Sequence, residues 1–188
     1  MAKITIPEKV ETERLTLRRY RSEDAAGIVE LVRENREQLI REFAAMTNLQ
    51  NLDQAASFVR EKEDQWEAEK TFCFGIWLKD RGKQIGQIQM KNVAWEIPAG
   101  ELSYFIDREF QQKRYATESI RAILDLAFLK SGFQRIYVRV LPVNRESLSL
   151  ARKLGFQSEG VHRKAFRCGA GDLHDVHFLS LIAEDYST

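Results

Sequence analysis

Cysteine, proline and histidine are scarce in this chain, and their scarcity excludes several kinds of protein. Of 188 residues, only two are cysteine, three are proline and three are histidine. Cys73 and Cys168 lie far apart and match no metal-binding spacing, so neither a disulfide scaffold nor a cysteine metal site is indicated. Two free thiols are typical of a reducing compartment, and we expect a cytoplasmic protein with no bound metal.

Long apolar runs and an excess of one charge are also missing. A membrane-spanning helix needs at least about 18 consecutive apolar residues, and the sequence has no such run. The first residues do not show the charged-then-apolar pattern of a signal peptide. A formal net charge of +1 gives no general attraction to nucleic acid or acidic lipid. We therefore expect no membrane partner and no direct nucleic-acid partner, and any anion site must be local.

The composition that is present is that of a globular domain. Hydrophobic residues make up 44% and charged residues 30% of the chain, and no repeat, linker or low-complexity segment interrupts it. At this length a single core is the expected solution, so residues 1–188 are predicted to form one domain. There is no nucleophile elbow, P-loop or H-E-x-x-H motif.

A strand–helix–strand–helix unit over residues 101–160 organises the sequence. Residues 101–107 form an almost continuous apolar and aromatic run that predicts a buried strand, and residues 135–141 predict the next strand. Between them a polar turn opens a helix with one apolar stripe, formed by Ile120, Ile123, Leu124, Ala127 and Phe128. Because the helix starts soon after a strand, its free backbone N–H groups form an anion site suited to a pyrophosphate.

The remaining segments complete an α/β pattern. Strands are predicted at 14–20, 71–78, 84–94, 157–167 and 173–183, and helical segments begin at Ser22, at Arg33 and at Asp53. Ser22 and Asp53 are predicted to cap the helices that they open. Strands that precede a strand–helix–strand unit predict a mixed sheet with helices on its faces.

Two motifs carry a resemblance to a known family. Residues 110–118, FQQKRYATE, resemble the acetyl-CoA loop of the GNAT N-acetyltransferases, whose pattern is Q/R-x-x-G-x-G/A. Residues 144–160, with N-x-x-S followed by K-L-G-F-x-x-E-G, are similar to the second cofactor motif of the RimJ/RimL branch, which acetylates the N-terminal α-amines of ribosomal proteins. Residues 13–18 and 171–176 resemble the first strand and the last hairpin of that branch.

The resemblance implies both a fold and an activity. The fold would be the GNAT α/β fold, a mixed central sheet of about seven strands with helices on both faces, splayed between the two central parallel strands. The activity would be direct transfer of an acetyl group from acetyl-CoA to an amine, without a metal. The acceptor stays open between a protein N-terminus and a small-molecule amine, and a homodimer, common in the family, stays open too.

The resemblance also implies which residues bind the cofactor. Backbone groups of the strand at 104–106 would bind the pantetheine arm and polarise the thioester carbonyl, and the loop would bind the pyrophosphate. The residues expected to bind acetyl-CoA are Tyr104, Phe105, Ile106, Gln111, Gln112, Lys113, Arg114, Tyr115, Ala116, Thr117, Asn144 and Ser147.

The loop departs from the family pattern at two positions. Arg114 stands where the pattern has glycine, and Gln112 replaces a second glycine common in the branch. Glycine is suited to such a loop because positive φ and close approach to phosphate cost it little. Side chains here either crowd the pyrophosphate or, in the case of the Arg114 guanidinium, bind it. If the side chains crowd the pyrophosphate, the chain would be a non-catalytic GNAT-fold binding or regulatory protein. A nucleotide-binding α/β protein is a further alternative, but the sequence has no nucleotide-binding fingerprint motif to support it.

Two residues are candidates for the catalytic chemistry. By resemblance, Ser147 is the general acid that protonates the leaving thiolate; the alternative is a helix N-terminal serine that bonds only backbone. Glu101, at the start of the central strand, is a candidate base, or else a solvent-facing acid at a strand end. Some RimL-type enzymes carry another glutamate as base, but Phe166 occupies that position here. Since a free α-amine has a pKa of about 8, a strong base is not obligatory.

Overall fold

The computed structural model describes residues 6–186 and contains one eight-stranded sheet of order β1-β2-β3-β4-β5-β6-β8-β7. The terminal residues 1–5 and 187–188, which the sequence assigns to the same domain, lie outside the described residues. The strands are β1 (Lys9–Glu11), β2 (Leu15–Arg19), β3 (Phe72–Leu78), β4 (Gln84–Ala94), β5 (Ala99–Ile106), β6 (Arg135–Val140), β7 (Gln157–Arg167) and β8 (Leu173–Ile182). Seven of these strands match predicted strands, and the eighth, β1, was not predicted.

Only one neighbouring pair in this sheet, β5 with β6, is parallel. Their register covers three positions, from Ala99 opposite Arg135 to Glu101 opposite Tyr137. Both strands continue past this point, β5 paired with β4 and β6 paired with β8, but they no longer pair with each other. The sheet is therefore splayed between its two parallel strands, as the resemblance implied.

Helices cover both faces of the sheet. They are α1 (Ala25–Glu34), α2 (Arg36–Glu42), α3 (Leu52–Glu67), α4 (Tyr115–Leu124), which continues as a π-helix over Asp125–Lys130, and α5 (Arg145–Lys153). One buried cluster joins the sheet to α4 and α5, and a second joins it to α1, α2 and α3. Four residues of the predicted α4 stripe are buried, and Phe128 packs its ring against Tyr186. No helix among residues 6–186 is both long and apolar enough to cross a bilayer.

Two predicted helix caps are wrong, and each for a local reason. Ser22 lies inside a short 3-10 turn, where the Asp24 carboxylate instead accepts a hydrogen bond from the Arg21 backbone N–H. The cap of α3 is Asn51, whose side chain accepts from the backbone N–H of Gln54, and Asp53 lies in the first turn. In both cases several capping residue types stand side by side, so composition does not identify the cap.

Gly86 provides a test of the packing in the middle of the sheet. It lies in β4 between Ile76 and Ile106, and a Cβ there would lie 2.3 Å from the Phe105 carbonyl oxygen. We expect Gly86→Ala to lower the free energy of unfolding by about 1–3 kcal/mol, because backbone atoms must move apart. Urea denaturation followed by circular dichroism measures the change.

Gly27, within α1, is the matched control. A Cβ there would lie 3.6 Å from the Gln84 Oε1 atom, an ordinary contact, so Gly27→Ala should stabilise the protein by up to about 1 kcal/mol through helix propensity. Equal stabilities of the two variants would contradict the close approach of β4 and β5.

Candidate active site

The site begins where β5 and β6 part, and Glu101 marks that point. Its carboxylate is buried, with 3% of the residue exposed. One oxygen accepts from Arg139 Nε at 3.1 Å and lies 3.3 Å from Lys91 Nζ, and the other accepts from Asn92 Nδ2 at 2.9 Å. Glu101 thus joins β4 to β6 through two cations and an amide. The Glu101 carboxylate does not face solvent, and both of its oxygens already have partners. Its catalytic role stays a prediction.

Beyond Glu101, the gap between the strands forms a small cavity, here called the fork pocket. Apolar residues dominate its lining, among them Leu102, Val138, Ala151 and Phe156, and its hydroxyl-bearing residues are Ser103, Tyr104 and Ser147. The Tyr104 hydroxyl donates to Ser147 Oγ at 3.2 Å. Because Ser147 accepts this bond, its own proton is free to point at another acceptor.

Asn144 connects α5 to α2. Its Oδ1 accepts from the backbone N–H of Ser147 at 3.0 Å, so Asn144 is the N-cap of α5. Its Nδ2 donates to both carboxylate oxygens of Glu42, at 2.8 and 2.9 Å. The same side chain that caps α5 is therefore also fixed to the last residue of α2.

The loop before α4 adopts left-handed backbone conformations without glycine. Gln112 has φ of +60° and Arg114 has φ of +65°, the region in which a glycine is normally preferred. Thr12 and Arg14, in the turn between β1 and β2, both bind the Glu118 carboxylate in the first turn of α4. Arg14 NH1 also donates to the Lys113 carbonyl at 3.1 Å. The loop therefore keeps the backbone shape of a glycine-containing loop, braced from the first strands.

A second cavity, here called the loop groove, runs from this loop to Ser147. The first-turn N–H groups of α4, at residues 115–117, border it and have no acceptor within the helix. Eleven of the twelve residues expected to bind the cofactor line the loop groove: Tyr104, Phe105, Ile106, Gln111, Gln112, Arg114, Tyr115, Ala116, Thr117, Asn144 and Ser147. Lys113 does not; its ammonium group donates to the Glu109 carbonyl and lies over the Phe110 ring.

On the other side of the sheet lies a broader depression, here called the open cleft. It is bordered by α2 and α3, by β4, and by the tip of the last hairpin, and its lining residues include Gln87, Gln89, Lys91, Phe166 and Arg167. Glu42 and Phe43 line the fork pocket, the loop groove and the open cleft alike. No sequence pattern indicated this junction, because it forms only where α2 ends beside α5.

Burial changes the proton affinity of two groups in the site. Burial raises the pKa of the Glu42 carboxyl above its ordinary value, and the hydrogen bond from Asn144 opposes that shift. Burial also raises the pKa of Tyr104, again against a hydrogen bond, here to Ser147. Tyr104 is therefore neutral at physiological pH, and the affinity of Glu42 for a proton is higher than that of a solvated carboxylate.

Possible metal ligands lie away from this site. At the turn of the last hairpin, ligand atoms of Cys168, Asp172 and His174 lie within 4.8 Å of one another, a grouping that the cysteine spacing did not predict. The turn is exposed, and none of these side chains lines the fork pocket, the loop groove or the open cleft. Cys73 is buried, and its burial raises the thiol pKa to about 12.

The combination of a splayed parallel pair, a phosphate-sized loop at a helix N-terminus and a serine at the fork identifies the architecture. Residues 14–157 match the family model described as an acetyltransferase (GNAT) domain. The chain belongs to the GNAT acetyltransferase family. It is therefore an acyltransferase that moves an acetyl group from acetyl-CoA to an amine, and the non-catalytic alternative is not favoured.

Three similar proteins illustrate the relationship. An uncharacterized N-acetyltransferase of Bacillus licheniformis, p20, is 27% identical over 180 residues, which is 96% of this chain and 99% of the relative. A ribosomal-protein-S5-alanine acetyltransferase from Vibrio fischeri superposes with a TM-score of 0.83 at 24% identity, covering 96% and 99% of the two chains. RimL, a ribosomal α-N-protein acetyltransferase in complex with coenzyme A, superposes with a TM-score of 0.86 at 19% identity, also over 96% and 99%.

The two replaced glycines of the loop lead to a prediction about Arg114. We compare Arg114→Gly with Arg114→Ala, which both remove the guanidinium but differ in tolerance of positive φ. The glycine variant should be more stable than the alanine variant by about 1 kcal/mol, because only alanine is strained there. Thermal denaturation checks this difference.

Titration calorimetry with acetyl-CoA, and with desulfo-CoA as a non-reactive analogue, then reports the role of the side chain. We expect the wild type to bind both ligands and both variants to bind them about tenfold more weakly, through loss of a phosphate contact. Unchanged affinity in both variants would show that the Arg114 guanidinium does not bind the cofactor.

Glu101 leads to a second prediction. Glu101→Gln keeps the shape of the side chain but leaves Lys91 and Arg139 without a carboxylate. We expect the free energy of unfolding to fall by about 1–3 kcal/mol, the low end of the cost of breaking a buried pair, because both cations are partly exposed. Glu96→Gln, an exposed change nearby, should leave stability unaltered. Full stability combined with greatly slowed acetyl transfer would instead support Glu101 as the base.

Proposed function

We propose that the acceptor is the α-amine of a protein N-terminus and that Ser147 is the general acid of the transfer. The observation that carries the acceptor class is the open cleft, a broad depression with both apolar and polar walls that meets the fork at Glu42 and Phe43. An extended N-terminal segment can lie along it with its amine at Glu42 and Phe43. The S5-alanine acetyltransferase and RimL, whose folds are similar, both act on ribosomal proteins according to their names.

Acetyl-CoA would bind on the opposite side of the fork. Its pyrophosphate would lie on the N–H groups at residues 115–117, and its pantetheine arm would follow β5 where β6 has moved away. A backbone N–H at residues 104–106 would polarise the thioester carbonyl. The thioester then lies beside Ser147, within reach of an amine from the open cleft.

Ser147 is suited to protonate the leaving thiolate. Its hydroxyl accepts from Tyr104, so its own proton can point at the sulfur as the carbon–sulfur bond breaks. Its backbone N–H is bound by Asn144, which fixes the residue at the first turn of α5. The proposal treats residues 1–188 as one catalytic domain working in the cytoplasm, and it needs neither a second copy of the chain nor a nucleic acid, because every residue used lies in one chain.

The acceptor class is tested by a screen with purified protein and acetyl-CoA. Short peptides with free N-termini, the same peptides with blocked N-termini and an internal lysine, and polyamines are compared, and mass spectrometry locates the added acetyl group. We expect transfer to the free α-amine and none to the blocked peptides. Transfer to polyamines alone would replace the peptide acceptor by a small-molecule amine.

Ser147→Ala tests the acid. Because the cap of α5 uses the backbone N–H, we expect an unchanged fold and unchanged acetyl-CoA affinity, with kcat lowered about 100-fold or more, as for loss of a general acid. Ser149→Ala, on an exposed position of α5, is the matched control and should keep full activity. A Ser147→Ala enzyme with wild-type kcat would assign Ser147 a purely structural role.

A further inference from the structure

We infer that Glu42 is the general base that removes a proton from the acceptor ammonium group. The inference rests on the proposed function, since it assigns a residue to the same reaction. Its starting point is the position of Glu42, the last residue of α2, where the fork pocket, the loop groove and the open cleft meet. An amine that enters from the open cleft reaches this carboxylate before it reaches a thioester in the fork.

The other acids near the fork are less suitable. Glu101 is already bound by Lys91, Asn92 and Arg139, so an incoming ammonium would have to displace a cation. Phe166, in the position where some relatives carry a glutamate, lines the open cleft with an apolar ring. Asp53 and Glu61 line the open cleft from α3, and neither borders the loop groove or the fork pocket.

The hydrogen bonds of Glu42 fix its carboxylate and leave lone pairs that can accept a proton. Asn144 Nδ2 donates one bond to each oxygen, and a carboxylate has about four lone-pair sites. The same Asn144 caps the helix that carries Ser147. One amide therefore positions both groups. The NH₂ group of Asn144 holds the proposed base, Glu42, and the oxygen of Asn144 holds the proposed acid, Ser147.

The surroundings favour proton uptake by this carboxyl. Burial raises its pKa, while the hydrogen bond from Asn144 and the charge of Arg41 lower it. Charged groups on the walls of the same three cavities are Asp53, Glu61, Lys62 and Lys91, Arg114 and Glu146, Arg139, and Arg167. A base with a pKa closer to neutrality takes a proton from an ammonium group more readily than a solvated carboxylate does.

The proton balance of the step is complete with the groups named. Glu42 takes one proton from the ammonium group, and the neutral amine nitrogen forms a bond to the thioester carbon. As the carbon–sulfur bond breaks, Ser147 gives its proton to the sulfur, and the second proton of the nitrogen returns to the Ser147 oxygen. Glu42 then releases its proton to solvent, so the products are the amide, coenzyme A and one proton.

The experiment compares Glu42→Gln with wild type in the peptide assay over a range of pH. Glutamine keeps an oxygen that accepts from Asn144, so the cap of α5 and the affinity for acetyl-CoA should not change. We expect kcat to fall about 100-fold, the range for loss of a general base, and the acidic limb of the kcat–pH profile to disappear. Glu37→Gln, an exposed change on the same helix that lines none of the three cavities, should match wild type in both kcat and its pH profile.

A second measurement separates a base from a positioning residue. With acceptor peptides or amines of decreasing pKa, the penalty of Glu42→Gln should shrink, because a weakly basic amine needs no base. A penalty that is equal for all acceptors, or a kcat within about twofold of wild type at every pH, would overturn the inference while leaving acetyl transfer intact. If wild type itself acetylates no amine, the proposed function fails, and the inference fails with it.

The stability of the variant gives a readout that does not depend on activity. Since the pKa of Glu42 is raised in the folded protein, the folded state binds more protons than the unfolded chain between the two values, and stability falls as pH rises through that window. Glu42→Gln removes this dependence, so its stability relative to wild type should increase as the pH rises above the ordinary carboxyl pKa of about 4.3. No such increase would contradict the half-buried position of the Glu42 carboxyl.

Discussion

The separation of β5 from β6 is the constraint on which the site depends. Two parallel strands that pair for three positions and then part would leave facing backbone groups without partners unless something else satisfies them. Glu101 stands at the last paired position and draws Lys91 and Arg139 to it, so the fork begins at a fixed place. Beyond Glu101 the gap is lined by strand backbone. A pantetheine arm carries amide groups that can form hydrogen bonds with such backbone groups.

The N-terminus of α5 places the polar groups of Asn144 and Ser147 beside this gap. Asn144 binds the Ser147 backbone with one end of its amide and the Glu42 carboxylate with the other. Any movement of α2 away from α5 would therefore break the bonds to the same amide that caps the helix and holds the Ser147 backbone. The open cleft and the loop groove are thus connected through a single side chain, and under the proposed function this brings the acceptor and the thioester to one place.

The sequence predicted the fold well because the patterns of its strands and helices are local in the chain. Strand β4 has the predicted bounds, and the loop and the Asn144–Ser147 motif lie together as the resemblance implied. Strand β1 has three residues, too few for an alternating pattern to show. The acceptor side was not predictable, because Glu42 lies in a segment recognisable only as a broken helix, and what makes it significant is its contact with a residue 102 positions away.

The loop at Gln112 and Arg114 shows that a missing glycine need not mean a missing site. Both residues hold the left-handed backbone that glycine adopts without strain, so the loop has kept its shape. The contacts of Arg14 with Glu118 and with the Lys113 carbonyl supply the tertiary restraint that such a strained conformation requires. Because the restraint comes from the turn between β1 and β2 and not from the loop itself, the motif alone could not reveal it. The N–H groups of α4 therefore stay aimed into the groove, and the arginine side chain is added at its rim.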